Sequence, residues 1–111
     1  MKRILSVSYN EALLRTREML LQHDGHSVIS ALGFTDAVER CKDGNYGLFI
    51  LGHSIPEKDK RELIRVFRAH SPAPILGLQR PGENASDQAD DHIDPNDIEA
   101  LLNAVRRLAG S

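Results

Sequence analysis

The stretch Leu48–Pro56, LFILGHSIP, constrains the chain more than any other. Four large apolar residues, Leu48, Phe49, Ile50 and Leu51, follow one another without polar alternation. A strand with one wet face alternates, because successive side chains point to opposite sides of the sheet. A strand that does not alternate is covered on both faces, the habit of parallel sheets flanked by helices. The run then stops at Gly52, and the carboxyl end of such a strand is where ligands and chemistry are usually placed.

The rest of the chain supplies the partners such a strand needs. Arg3–Ser8, RILSVS, is a short β-favouring segment closed by Ser8, Tyr9 and Asn10. A helical pattern follows in EALLRTREMLLQHDG, with Leu13, Thr16 and Leu20, flanked by Ala12 and Met19, read as the inward face and Asp24-Gly25 as the stop. His26–Ser30 reads as a second strand, and Thr35-Asp36 as the cap of a helix ended by Gly44. The third strand spans Gly47–Leu51. Beyond Pro56 a helix presents Leu63, Ile64, Val66 and Phe67, and Ser71-Pro72 breaks it before a fourth strand at Pro74–Leu78. Gln79–Gln88, QRPGENASDQ, reads as a loop; Ala89–Ile93 is a short polar strand suited to a sheet edge. Asp94-Pro95 is then expected to open the last helix, with Asp97 in its first turn and an apolar row of Ile98, Leu101, Leu102, Val105 and Leu108. Alternating strands and helices predict one α/β domain over residues 1–111, a doubly wound, flavodoxin-like parallel sheet of five strands with right-handed crossovers.

Composition removes several classes of function. Fourteen basic and sixteen acidic residues leave a formal charge of −2, which gives no electrostatic footprint for nucleic acid or anionic lipid. Arg61, Arg65 and Arg68 recur at helical spacing, but Glu57, Asp59 and Glu62 interleave with them, as on a solvated face. The single cysteine, Cys41, excludes an intramolecular disulfide and reads as a small buried hydrophobe. No apolar run approaches membrane-spanning length, and no signal-like segment opens the chain, so a cytoplasmic location without membrane contact is expected.

The order of elements, the size, and above all LFILGHSIP and ADDHIDP resemble the receiver domain of bacterial two-component response regulators. The resemblance covers essentially the whole chain and implies the sheet order 2-1-3-4-5. In that family the third strand leads into the phospho-accepting Asp, three residues and a Pro; counting back from Pro56 puts Gly52 at the Asp position. The acidic pair that binds Mg²⁺ falls on Ser8 and Tyr9, the Thr or Ser ending the fourth strand on Gln79, and the Lys of the Lys-Pro pair on Asp94, before Pro95. Each chemical residue of the family is therefore replaced. The resemblance also implies a helix between the fourth and fifth strands, for which Gln79–Gln88 is short, so that helix is expected to be lost or reduced to a turn.

These departures imply a degenerate receiver without a catalytic residue or cofactor. It would act by protein–protein contact with a signalling partner such as a histidine kinase or an output protein, and a homodimer stays open. The alternative is a small-molecule or metal sensor using the altered crevice, with His53 and Ser54 as contacts. A metal or acid–base site from His53, His92 and Asp94 lacks paired ligand spacing, and Ser8 with His53 lacks a nucleophile elbow, so an enzyme is not expected.

Overall fold

The structure is a computed structural model and describes residues 3–79 and 89–109. The elements run β1 (Arg3–Ser8), α1 (Glu11–His23), β2 (Val28–Leu32), α2 (Phe34–Lys42), β3 (Tyr46–Leu51), α3 (Glu57–His70), β4 (Ile75–Leu78), β5 (Asp91–Ile93) and α4 (Ile98–Leu108). All strands are parallel in one sheet of order β2-β1-β3-β4-β5. The expected doubly wound topology is present. Residues 80–88, where the sequence suggests a missing or shortened helix, lie outside the described residues.

The unbroken apolar run forms the middle of the sheet. Phe49 and Leu51 belong to a core shared with Leu63, Ile64 and Phe67 of α3 and Ala37 and Cys41 of α2. Leu48 and Ile50 belong to a second core shared with Leu21 of α1 and Leu101, Ala104 and Val105 of α4. Phe49 and Phe67 stack in the first, with ring centroids 4.3 Å apart and planes 14° from parallel.

Both ends of α1 follow local chemistry, and its glycine stop is the one read from the sequence. The Asn10 side chain accepts a hydrogen bond from the Leu13 N–H at the start of α1. At its other end Gly25 has φ 92°, with Gly25 N bonded to Gln22 O and His26 N to Leu21 O, the paired bonds of a Schellman stop.

Other boundaries differ. The inward row of α1 is Leu14, Arg17 and Leu21, while Leu13 and Met19 are exposed. The doublets Leu13-Leu14 and Leu20-Leu21 create two neighbouring rows, and the buried one carries the arginine. α2 starts one residue before Thr35, and Asp36 turns back to accept from the Leu32 N–H instead of capping the helix. Gly44 is not in the left-handed region and does not act as that kind of stop. β2 begins at Val28, not His26. β5 begins at Asp91, not Ala89: the Asp90 carboxylate accepts from the Ile75 N–H at 2.7 Å and pins the segment as a bend. Asp94-Pro95 belongs to a turn, with Asp94 accepting from Asn96 N, and Asp97 caps α4 through the Ala100 N–H.

Candidate functional site

The carboxyl ends of β1 and β3 meet at Ser8 and Gly52, joined by a hydrogen bond from Gly52 N to Val7 O of 2.9 Å. Ser8 is fully buried. Its hydroxyl donates to Asn10 O at 3.1 Å, accepts from Asn10 N at 3.0 Å and lies 3.3 Å from the Ser54 hydroxyl. Ser54 in turn accepts from Tyr9 N at 3.2 Å. A tight polar knot therefore ties the loop after β3 to the loop after β1 through the Ser54 hydroxyl.

Tyr9 leaves this knot. Its phenol donates to the Asp59 carboxylate of α3 at 2.8 Å. Partial burial first, then that hydrogen bond and the charge on Asp59, push the phenol well above its ordinary value, so it stays protonated.

Gly52 stands in a narrow place. A Cβ added there would lie 3.1 Å from the Val7 carbonyl oxygen, 3.4 Å from a terminal nitrogen of Arg17 and 3.5 Å from Ser8 Cβ. Arg17 is only 6% exposed, although it sits in the second turn of a surface helix. Its guanidinium donates to the buried Ser6 hydroxyl at 3.3 Å. No carboxylate among the described residues forms an ion pair with it. Burial lowers its pKa to about 10, which leaves it charged at neutral pH.

Arg17 is the residue the sequence reading misses. Its signal was present: an arginine at 14, 17, 21 spacing between two leucines is a charged group on a buried stripe. It also brings a positive charge to the end of β3 from α1, where the resemblance predicts a lysine from the β5 side.

The remaining candidates do not converge with this group. Gln79 continues β4 through its N–H to Ile93 O. Asp94 is held in its turn. His92 packs its ring against Gly77 and, with Leu51, Lys60 and Ala89, lines a narrow space on the α3 side; its Nε2 is buried without a hydrogen-bond partner among the described residues. His53 instead lines a groove between α1 and α4. The constellation of His53, His92 and Asp94 is therefore not assembled, because its histidines serve different sides of the sheet. Among the described residues, no group of three His, Cys, Asp or Glu side chains is placed to hold a metal.

Basic side chains on α3 are largely matched by acids. Arg61 pairs with Glu57, Arg65 with Glu62, and Arg68 with Asp90. This is the solvated face expected from the sequence. No helix among the described residues is long and apolar enough to cross a membrane.

Five parallel strands in the order β2-β1-β3-β4-β5 with helices on both faces are the fold of response-regulator receiver domains of the CheY type. No protein-family model matches the chain. Among curated proteins, response regulator ArlR of Staphylococcus aureus is 28% identical across 97% of this chain. The chain spans about half the length, 52%, of that relative. The solved structure of the Thermotoga maritima response regulator TrrA, in complex with Mg²⁺ and BeF, is 26% identical with a TM-score of 0.84, covering 97% of this chain and 99% of that one. The receiver domain of a Pseudomonas aeruginosa sensor histidine kinase, with a magnesium ion coordinated in its active-site cleft, gives 21% and 0.81, covering 99% and 98%. That of Francisella response regulator 1452 gives 16% and 0.84, covering 99% and 98%. Sequence relatives and structural neighbours together support a response-regulator receiver domain.

Proposed function

We propose that the chain is a receiver-type signalling domain that works by protein–protein contact and accepts no phosphoryl group at the end of β3. The observation that carries this reading is the pairing of Gly52 with Arg17: the position that the resemblance assigns to the acceptor has no side chain, and a buried guanidinium lies next to it. Aspartyl phosphorylation needs a carboxylate nucleophile and a divalent cation to neutralise phosphoryl charge.

The residues present do not fit Mg²⁺. Such a cation wants several hard oxygen ligands, carboxylates among them. The Ser8 hydroxyl is neutral and committed to Asn10, the Tyr9 phenol is turned to Asp59, and Arg17 would repel the metal. The knot between Ser8, Ser54 and Tyr9 holds the two loops together with neutral hydrogen bonds. A fixed surface of this kind suits a partner that reads shape, such as a histidine kinase or an output protein of the same pathway, in the cytoplasm and without enzymatic turnover.

Incubation with acetyl phosphate and Mg²⁺, followed by intact mass measurement, tests the proposal. The expected result is an unchanged mass. A Mg²⁺-dependent gain of one phosphoryl group would overturn it.

A further inference from the structure

The groove between α1 and α4 has a composition that the contact function does not use. It encloses about 230 Å³ and is lined by Leu13, Leu20, Ile98 and Leu101, with Pro95, Asn96, Thr16 and His53 around it and Arg17 among its lining. Leu13 and Ile98 are 37% and 50% exposed, two of the few large apolar side chains left open to water. Arg17, at 6% exposure, is the deepest charged group there.

A guanidinium has five N–H donors in a fixed fork. Among the described residues Arg17 has one hydrogen bond to protein, to Ser6. A desolvated charge without a counter-ion is costly, and an arriving anion recovers that cost. The apolar walls add a second requirement, since burying methylenes against them is favourable. The volume lies a little below the roughly 300 Å³ lower end of ordinary small-molecule pockets. One cation, apolar walls and a small volume together select a compact monoanion with a hydrocarbon tail.

We propose that this groove binds a short-chain aliphatic monocarboxylate, its carboxylate on the Arg17 guanidinium and its chain between Leu13, Leu20, Ile98 and Leu101. The carboxylate supplies an acid partner that Arg17 does not have among the described residues. The chain covers Leu13 and Ile98 and so couples occupancy to the packing of α1 against α4. This proposal does not depend on the phosphoryl reading, because a phosphorylatable chain would keep the same groove.

Methyl NMR of the full chain, titrated with sodium hexanoate and separately with hexanamide, tests it. Hexanoate is expected to give saturable shifts at Leu13, Leu20, Ile98 and Leu101, and to bind about tenfold or more tightly than hexanamide, the change one charge-assisted hydrogen bond supplies. Across propanoate, butanoate and pentanoate, affinity should rise by up to about fourfold per methylene. Arg17→Gln should reduce the preference over hexanamide to about twofold or less. If that variant does not fold, Ile98→Glu, at a half-exposed rim position, should weaken hexanoate about tenfold by placing like charge at the mouth. Equal binding of acid and amide to the parent chain, shifts centred elsewhere, or no saturation at about 50 mM would overturn the proposal.

Discussion

The two faces of the sheet are built on different terms. Every aromatic residue of the chain, Tyr9, Phe34, Tyr46, Phe49 and Phe67, lies in or against the core shared by α2 and α3. The face under α1 and α4 is wholly aliphatic, and it contains a buried arginine and a groove. Aromatic rings bury large areas and interlock, so the first face closes on itself. The second adds ion pairs at its rim to its aliphatic core: Arg106 of α4 donates to Asp24 beyond α1 at 2.6 and 3.0 Å, and Arg107 donates to Asp91 of β5. One face is closed by stacked rings, and the other holds a groove with the buried Arg17 in its lining, next to the end of β3.

Removing a ring from the closed face should have the largest effect. Phe67→Ala deletes half of the stacked pair with Phe49, and urea unfolding should register a loss of about 3–5 kcal/mol. Arg17→Met should behave in the opposite manner. It removes an uncompensated buried charge but strands the buried Ser6 hydroxyl, and these effects offset to within about 1 kcal/mol. A loss as large as that of Phe67→Ala would erase the distinction between the faces.

Acid should separate the faces next. Hydrogen bonds from Arg106 hold the Asp24 carboxyl below its ordinary value, and those from Arg107, then from the His92 N–H, do the same for Asp91. A carboxyl with a depressed folded pKa stabilises above its unfolded value of about 3.9 and loses that contribution as pH falls through the folded value. Arg65 also holds Glu62 low, but that pair lies within α3 and ties it to no neighbour, so hydrogen exchange below about pH 4 should show α4 losing protection before α3. Uniform loss would contradict the rim fastening. The smallest effect is expected at Met19, 69% exposed on α1, where Met19→Gln should change stability by no more than about 0.5 kcal/mol in thermal melts.

Much of the fold was legible because its signals are redundant. Four consecutive apolar residues at the end of β3, a glycine stop after α1 and an amphipathic α4 each point to helices over a parallel sheet. Errors arose where two local options compete. In α1 the leucine doublets offered two rows, and the tertiary structure buried the one with Arg17. Before α4, Asp94 and Asp97 could both cap; Asp94 was taken by the turn at Asn96 and Asp97 by the helix. The site was legible in its backbone and not in its charge. Gly52 and Ser8 fall where the strand ends predict, and the 14, 17, 21 spacing puts Arg17 on one of two candidate buried rows, but its reach to a glycine 35 positions later depends on a side-chain path that no local pattern encodes.

The proposal that the end of β3 carries neither metal nor phosphoryl chemistry rests on Gly52, the neighbouring Arg17 and the neutral hydrogen bonds of Ser8 and Ser54. Its most direct test is an NMR titration of the parent chain and Gly52→Asp with Mg²⁺ and beryllofluoride, following the amides of Ser8, Gly52 or its replacement, and Ser54. Both chains should show no saturable Mg²⁺-dependent shift, because Ser8 and Tyr9 remain unable to ligate the cation and a new carboxylate would meet Arg17. A saturable Mg²⁺-dependent response of those amides in the parent chain would contradict the account.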